Sequence, residues 1–224
     1  VLSWKRWVMV QKKKHGEATS FPIEPHLETS IAAHQLSIPT DFIPQNYSTE
    51  YSGEDYKFDD YEVGEWIDHI DGLSITESTH MQATHSYQNN AKVHFNQHVM
   101  NDSHHKQTLV YGGHVISLCR AISHNGLANA QWLLAINGGS HTNPSYSGDT
   151  IYAASVVIEK QQLDAQLGAL RVKTYGFKNN TFPKITDELR QEFSQAVDHV
   201  ELSALLKKHK DTVLELDYTV LIVR

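Results

Sequence analysis

Short apolar runs rich in β-branched and aromatic residues recur in the second half of the chain. Each run holds at least four β-branched, aromatic or aliphatic residues, which is the pattern of a buried or half-buried β-strand. The runs predict strands at 131–137, 150–159, 168–177 and 213–223. A further short strand is predicted at 65–70, ahead of the others. We therefore expect most of this half to form a sheet.

Two segments between the first strand and the later ones carry helical signals. Ser74 and Glu77 form the S-x-x-E pattern of a capping box, which predicts a helix from there toward Ser86. After Gly112 and Gly113, apolar residues cover most of a helical circumference. They are Val115, Ile116, Leu118, Cys119 and Ile122. A helix that is apolar on most sides must be surrounded by other elements, so we expect it at the centre of the fold.

Residues 179–211 interrupt the strand pattern. Thr186 is a candidate N-cap for a helix whose apolar residues follow at helical spacing. These residues are Leu189, Phe193, Val197 and Val200, with Leu202, Leu205 and Leu206 after them. Such a stripe is typical of core or interface packing rather than of a cofactor site. We interpret the segment as a helical insertion at the surface that can cover a neighbouring subunit.

The beginning of the chain is similar to its end. Segment 1–10 has the composition of a β-strand, and several of its positions recur in 213–222. The matching pairs are Val1 and Val213, Leu2 and Leu214, and Val8 and Val220. We interpret this as a weak internal repeat, with chance similarity between two apolar strands as the alternative. The repeat predicts that residues 1–15 hold the closing strand of an upstream copy of the fold.

The following segment, 16–54, has the composition of a linker. Four prolines are scattered there among Ser, Thr and His, and no period is sustained. We expect any order in this segment to come from packing on a domain. The main domain is then predicted at 55–224, with the helical insertion at 179–211.

Composition limits the possible partners. The 224 residues are 40% hydrophobic, which is enough for a core of ordinary size. A formal charge of -7 disfavours nucleic acids and anionic membranes, because an acidic surface gains nothing from counterion release. No apolar run reaches the roughly 20 residues that span a bilayer. No signal peptide is visible either, so we expect a cytoplasmic location.

Neither the cysteine nor the histidines indicate a metal or redox site. Cys119 is the single cysteine of the chain, which excludes an internal disulfide, and its apolar helical surroundings predict a small buried thiol. The 15 histidines include the adjacent pair His104 and His105. No pair at i, i+4 helical spacing is backed by a third ligand, so we predict no metal site.

Three segments carry the candidate chemistry. In chain order they are YQNNAKVHFNQH (87–98), VYGGHVISLCRA (110–121) and NPSYSGDTIY (143–152). The first places Asn89 and His94 five positions apart. The second opens the central helix with glycines whose N–H groups can bind an oxyanion. The third is a turn before a strand, in which Asp149 is expected to shape the turn rather than act as an acid.

The order and spacing of these segments resemble the MaoC-like hydratases, which add water across the double bond of an enoyl-CoA thioester. The resemblance covers about 61–224 and is strongest to the C-terminal copy of two-copy members that act on mesaconyl-CoA-like thioesters. It implies an α+β hot-dog fold, in which a curved antiparallel sheet wraps around a central helix. It also implies reversible hydration of a branched, dicarboxylic enoyl-CoA.

The family motif D-x-N-P-x-H falls on the segment from Asn89 to His94. The histidine is present, but Asn89 replaces the aspartate, and a neutral amide cannot take a proton as a carboxylate does. In a catalytic copy, either His94 serves as the acid–base group while Asn89 positions water or substrate, or a carboxylate from elsewhere enters the site. The resemblance also implies that Gly113 donates to the oxyanion. The substrate contacts expected on this basis are Tyr87, Asn90, Gly112, His114 and Asn137. A dicarboxylic acyl group also favours a cationic partner, for which Arg120, Lys92 and Arg171 are candidates.

The main hypothesis is thus a hydratase or dehydratase whose substrate is a coenzyme A thioester, with no metal or redox cofactor. A homodimer, or a pseudo-dimer of two copies in one chain, is the expected assembly. An acyl-CoA thioesterase of the same fold is one alternative, although thioesterases generally place a carboxylate on the central helix and 115–122 contains none. The other alternative is a non-catalytic CoA-binding copy that supports a catalytic partner, which the replacement at Asn89 favours.

Overall fold

One antiparallel sheet organises the chain in the computed structural model, which describes residues 28–130, 132–192 and 198–224. Its strands are β1 (Trp66–Asp68), β2 (Leu73–Ser74), β3 (Trp132–Ser140), β4 (Thr150–Gln162), β5 (Leu167–Lys178) and β6 (Thr212–Val223). Their order is β1-β4-β5-β6-β3, and β2 pairs with β4 on the same side as β1. The four longer strands lie where the sequence predicts them. The strand predicted at 1–15 lies outside the described residues.

Six helices accompany the sheet in the described residues. They are α1 (Glu77–Ser86), α2 (Gln97–Met100), α3 (Gly112–Ile122), α4 (His124–Leu127), α5 (Phe182–Glu192) and α6 (His199–Lys208). Single 3-10 turns occur at Ala33–Gln35, Pro44–Asn46, Thr49–Tyr51, Phe58–Asp60 and Lys92–His94.

The predicted helix α1 is present, but its cap is a different residue. Thr76, not Ser74, is the N-cap, and its hydroxyl accepts from the backbone N–H of Thr79 at 3.2 Å. Ser74 belongs instead to β2, where its hydroxyl is hydrogen-bonded to that of Thr150 at 2.7 Å. Because Ser74 pairs in β2, the helix starts two residues later than predicted. Thr76 is an equally suitable cap, since threonine and serine both accept from the backbone through a hydroxyl.

The central helix α3 packs across one face of the sheet and contacts β4, β5 and β6. Val115, Cys119 and Ile122 form its buried side. The Cys119 thiol lies directly on Gly176 of β5, where an added Cβ would be 2.6 Å from the sulfur. Burial raises the pKa of this thiol to about 12, so the predicted inert cysteine is confirmed.

The insertion covers the opposite face of the same sheet. Alternate strand residues point to opposite faces, so the residues of β4 and β5 next to the α3-facing ones turn toward α5 and α6. This second cluster contains Ala154, Val156, Tyr175, Phe177, Ile185, Leu189 and Leu206. The two helices therefore bury apolar residues on their own sheet, whereas Phe193 and Val197 of the predicted stripe lie outside the described residues. The predicted role as a cover for a neighbouring subunit stays a prediction.

The start of the insertion also differs from the prediction. Helix α5 begins at Phe182, so Thr186 lies inside the helix, and its hydroxyl donates to the Pro183 carbonyl at 2.9 Å. Pro183 in the first turn costs no hydrogen bond, because N–H groups there have no helical acceptor. Helix α6 begins after Asp198, whose carboxylate accepts from two backbone N–H groups.

The described part of the predicted linker, 28–54, packs on the sheet. Ile38, Phe42 and Tyr47 contact a cluster of apolar residues on β5 and β6. The Tyr47 hydroxyl also donates to the Asn129 side chain at 2.5 Å. Packing on the domain therefore orders this segment, as its composition led us to expect.

A buried histidine begins a chain of polar side chains through the core. His69 is fully buried, and its Nδ1 lies 2.6 Å from the Asn125 carbonyl while its Nε2 lies 2.8 Å from the Ser155 hydroxyl. Because a carbonyl can only accept, Nδ1 must carry the proton in neutral His69. Nε2 therefore accepts from Ser155.

The chain continues across the sheet to α3. The Ser155 and Thr174 hydroxyls are 2.6 Å apart, and Thr174 lies 2.9 Å from the hydroxyl of Tyr218. Arg120 donates to the Tyr218 hydroxyl at 2.9 Å and cannot accept. Tyr218 must then donate to Thr174, and Thr174 to Ser155, so every hydrogen bond from Arg120 to Asn125 has the same direction.

This chain makes stability depend on the charge of His69. Burial lowers the pKa of His69 from 6.5 to about 4. Between these values the unfolded chain binds a proton that the folded chain does not, so the free energy of unfolding must fall as pH falls, by about 3 kcal/mol for this one group. We expect His69→Gln to flatten the pH dependence measured by urea unfolding between about pH 7 and pH 5. The matched control is His98→Gln at an exposed position of α2; equal slopes for the two variants would contradict the assignment.

Candidate active site

The amino end of α3 presents two unoccupied backbone donors. The helix begins at Gly112, and Tyr111 is its N-cap without a side-chain hydrogen bond. His114 and Val115 donate their N–H groups to the Tyr111 carbonyl. Among the described residues, the N–H groups of Gly112 and Gly113 have no acceptor. Two adjacent donors at the positive end of a helix can bind a developing oxyanion.

Aromatic rings lie against both glycines at the helix start. A Cβ on Gly112 would be 2.4 Å from Nε2 of His141, and a Cβ on Gly113 would be 2.5 Å from the Tyr111 ring. Any larger residue would have to move these rings. Close approach, rather than an unusual backbone conformation, therefore explains the glycine pair.

The turn that carries His94 is tied to the segment before α3. The Leu109 N–H donates to the Val93 carbonyl at 2.9 Å, and Nδ1 of His94 lies 3.1 Å from the Leu109 carbonyl. The His94 ring meets Tyr111 edge-on, with the centroids 5.7 Å apart. Tyr111 therefore contacts both the predicted acid–base residue and Gly113.

The same contacts define the proton positions on His94. Because the Leu109 carbonyl can only accept, Nδ1 carries the proton and Nε2 keeps its lone pair. Burial lowers the pKa of His94, the Leu109 hydrogen bond opposes this, and nearby His80 lowers the pKa further. His94 is thus neutral near pH 7 and can act as a base through Nε2.

Asn89 is held by the backbone on both sides. Its N–H donates to the Thr84 carbonyl at 3.0 Å, and its side-chain oxygen accepts from the Ala91 N–H at 2.9 Å. The remaining amide NH₂ can only donate. Asn89 can therefore orient a water molecule but cannot remove its proton.

Two other predicted contacts lie at the solvent-facing rim. Asn90 is exposed, and Tyr87 is 61% exposed with its ring 6.0 Å from that of Tyr111. His114, one position beyond Gly113, is half-buried, and its Nε2 is buried without a hydrogen-bond partner. The structure thus places Tyr87 and His94 against Tyr111, the residue that precedes Gly112, Gly113 and His114, while Asn89 and Asn90 lie on the loop between Tyr87 and His94.

Two predicted substrate contacts are not part of this group. The Asn137 side chain accepts from the Ile31 N–H and donates to Asp217 and Thr219, so it ties segment 28–54 to the sheet. Arg120 lies more than two helical turns beyond Gly112, and its guanidinium stacks 4.7 Å from the Tyr218 ring centroid. The contacts of both side chains are structural, and sequence position alone could not reveal them.

His141 is a site residue that sequence reasoning missed. It follows the last residue of β3 and is exposed to solvent, and its ring lies against Gly112. Burial of the ring lowers the pKa of His141, a hydrogen bond with the Val213 backbone opposes this, and His94 lowers the pKa further. No motif marks this position, because only the pairing of β3 with β6 brings it to the helix start.

Asp149 has the structural role that its turn predicts. One carboxylate oxygen accepts from the Tyr146 N–H at 2.8 Å, and the other accepts from the Asn179 side chain at 2.6 Å. The turn leads directly into β4. Both oxygens are engaged, which does not suit a proton-transferring acid.

Comparisons with known proteins identify the family of the chain. The chain is 43% identical over 229 aligned residues to β-methylmalyl-CoA dehydratase from Chloroflexus aurantiacus, a match that spans 100% of the chain and 60% of the relative. It is 46% identical over 187 residues to mesaconyl-CoA hydratase from Cereibacter sphaeroides, with 83% of the chain and 54% of the relative covered. No protein-family model matches.

A solved structure gives the same result. A MaoC domain protein dehydratase from Chloroflexus aurantiacus superposes with a TM-score of 0.79 at 41% identity, over 95% of this chain and 57% of that one. The chain has the MaoC-like hot-dog fold. The resemblance predicted from its motifs is confirmed. The hot-dog chain spans little more than half the length of these relatives.

The described residues contain no cluster of side chains suited to a metal ion. Within 28–130, 132–192 and 198–224, no group of three or more His, Cys, Asp or Glu side chains is arranged to hold a metal ion. In the same ranges, no helix is both long enough and apolar enough to cross a bilayer.

The contact between Gly112 and His141 can be tested directly. We expect Gly112→Ala to push the exposed His141 ring away at a cost in unfolding free energy of less than about 1 kcal/mol, because only the end of a side chain must move. The imidazole NMR signals of His141 should shift. Gly138→Ala on β3 is the control, since nothing lies within 4 Å of its added Cβ. His141 signals that are identical in Gly112→Ala and the wild type would show that the His141 ring does not lie against Gly112.

Proposed function

We propose that this chain provides the active site of an enoyl-CoA hydratase/dehydratase that reversibly adds water to a mesaconyl-CoA-like thioester. The observation that carries the proposal is that the Tyr111 ring lies against both the His94 ring and Gly113, at a helix start where the N–H groups of Gly112 and Gly113 have no acceptor among the described residues. The printed names of the two curated relatives support the substrate class. Coenzyme A enters as part of the substrate, and the reaction needs no redox cofactor because water is added without oxidation.

Each group has a role that its chemistry allows. A thioester oxygen at the start of α3 would accept hydrogen bonds from the Gly112 and Gly113 N–H groups. These hydrogen bonds would stabilise the enolate that forms during addition. A water molecule held by the Asn89 NH₂ group would give a proton to Nε2 of His94 as its oxygen bonds to the β-carbon. The protonated His94 would then give this proton to the α-carbon as the enolate returns to the thioester, so that one water molecule is added in total. The reverse sequence eliminates water from the hydroxyacyl thioester.

The thioesterase alternative lacks its usual carboxylate on α3. Residues 115–122 contain no Asp or Glu, and Cys119 of the helix is buried against Gly176. The non-catalytic alternative has a specific observation in its favour, which is the neutral Asn89 at the usual position of the aspartate. Turnover decides between that alternative and the hydratase.

An edge of the sheet suits a second copy of the fold. Within the described residues β3 pairs with β6 on one side only, and its other edge is open. Leu133 and Ile136 on this strand are 43% and 59% exposed. Because an open edge with exposed apolar residues favours association, we propose that β3 meets another hot-dog copy, in a homodimer or a pseudo-dimer. The upstream copy ending at 1–15, the domain limits and the cytoplasmic location stay predictions.

Turnover of mesaconyl-CoA tests the function. The purified protein should remove the conjugated-thioester absorbance, and His94→Gln should lower kcat by about 10² to 10⁴, the usual contribution of a general base. Activity should fall on the acid side only below about pH 6.5, since the pKa of His94 is lowered and the base must be neutral. His98→Gln is the control. Release of free thiol would indicate a thioesterase, and binding without turnover would indicate the non-catalytic copy.

Self-association tests the role of the β3 edge. We expect Ile136→Lys to weaken association at least about tenfold in sedimentation experiments, because a desolvated charge in an apolar contact costs more than about 1.4 kcal/mol. Val200→Lys on α6 is the control, since Val200 is also exposed but lies on the insertion. Equal association of both variants would place the contact elsewhere.

A further inference from the structure

The hydroxyl of Tyr111 is a polar group at the start of α3 that the proposed reaction has not used. Its ring lies against Gly113 and meets His94 edge-on. Among the described residues, the hydroxyl makes no hydrogen bond. We infer that Tyr111 is a further catalytic residue, whose hydroxyl donates a third hydrogen bond to the thioester oxygen beside the N–H groups of Gly112 and Gly113. This inference rests on the proposed function and adds a group to the same site.

The backbone of Tyr111 is held in place by the helix that it caps. Its carbonyl accepts from the N–H groups of His114 at 2.9 Å and Val115 at 3.4 Å. Directly before it, the N–H of the buried Val110 donates to the Ser145 carbonyl at 3.0 Å. The residue is thus fixed before a substrate binds, as stabilisation by a preorganised donor requires.

Contacts of the ring restrict the direction of the hydroxyl. The ring centroid lies 5.7 Å from that of His94 and 6.0 Å from that of Tyr87, and Gly113 lies against the ring. A phenylalanine ring could make each of these contacts equally well. Packing among the described residues therefore accounts for an aromatic ring at this position but not for its hydroxyl.

The hydroxyl is close to the place where the thioester oxygen would bind. It lies 2.9 Å from the position that a Gly113 Cβ would occupy. Because a Cβ is about 2.5 Å from the nitrogen of its own residue, the hydroxyl oxygen is at most about 5.4 Å from the Gly113 nitrogen. Hydrogen bonds of about 2.9 Å from N–H and about 2.8 Å from O–H let one acceptor bridge up to about 5.7 Å. One thioester oxygen can therefore accept from both groups.

The hydroxyl also lies on the correct side of Gly113. Cα–Cβ bonds in a helix tilt toward its amino end, and the free N–H groups of the first turn point toward the same end. A group above the Cβ position of Gly113 is therefore on the side from which an acceptor approaches these N–H groups. The missing Cβ of Gly113 is what lets the hydroxyl come so near.

The hydroxyl would act by hydrogen bonding and not by proton transfer. The thioester oxygen gains negative charge as water adds to the β-carbon, so a donor aimed at it binds more strongly in the transition state than in the ground state. Tyr111 keeps its proton throughout. The path of the proton from water through His94 to the α-carbon is unchanged, and so is the net addition of one water molecule.

Removal of the hydroxyl alone tests the inference. With mesaconyl-CoA as substrate, Tyr111→Phe should lower kcat by about 10² to 10³ and leave KM within about threefold, because the donor acts mainly in the transition state. The acid limb of the pH profile should stay in place, since the ring contact with His94 is kept. Tyr51→Phe is the matched control, because Tyr51 is 88% exposed on segment 28–54.

A second measurement reports on the thioester oxygen without turnover. Succinyl-CoA has no double bond to hydrate, and ¹³C at its thioester carbonyl allows the carbonyl stretch of the bound molecule to be read by infrared difference spectroscopy. Hydrogen bonds weaken a carbonyl bond, so we expect the stretch to lie at higher frequency in Tyr111→Phe than in the wild type and Tyr51→Phe.

The outcomes separate the inference from the proposed function. If the wild type and Tyr51→Phe do not turn over mesaconyl-CoA, the proposed function fails and the inference fails with it. If both turn over and Tyr111→Phe keeps the wild-type kcat, the function stands and the inference is wrong. A lower kcat in Tyr111→Phe with an unchanged carbonyl stretch would also overturn the inference, because the hydroxyl would then act away from the thioester oxygen.

Discussion

Burial of α3 against the sheet is the interaction on which the rest of the structure depends. The helix contacts three strands at once, and the contact of Cys119 with Gly176 lets it approach β5 closely. Once its axis is fixed, its amino end must emerge beside the end of β3 and the turn at Lys92–His94. The chemistry of the site is therefore a consequence of core packing, because no loop has to find the helix start on its own.

Much of the fold could be predicted because it depends on local patterns. The apolar runs gave β3 to β6, and the apolar circumference of 115–122 placed α3 at the centre. The caps were less predictable. Ser74 has the correct pattern, but its pairing with Thr150 in the sheet takes it away from the helix, and only tertiary structure contains that information. The insertion is similar, since an apolar stripe does not say which surface it will cover.

The candidate site likewise contains residues that local sequence patterns identify and residues whose roles depend on tertiary contacts. His94 and the glycine pair lie in compact motifs, so sequence could identify them, and the structure places His94 and Gly113 against Tyr111. Asn137 and Arg120 could not be judged, because their hydrogen bonds join segments far apart in the chain. His141 was missed for the converse reason, since its neighbours along the chain indicate only a loop and its importance comes from Gly112. When the sequence neighbours of a polar residue do not predict its contacts, its role can be assigned only after the register of the sheet is known.

The directional chain from Arg120 to His69 affects α3 as well as the core. Apolar contacts alone would let a helix roll slightly about its axis, since they have little angular preference. The guanidinium of Arg120 instead donates to the Tyr218 hydroxyl on β6, the first of the hydroxyls that lead to His69. This hydrogen bond limits the rotation of the helix about its axis. The N–H groups of Gly112 and Gly113 are consequently preorganised, because their directions are fixed before a thioester binds.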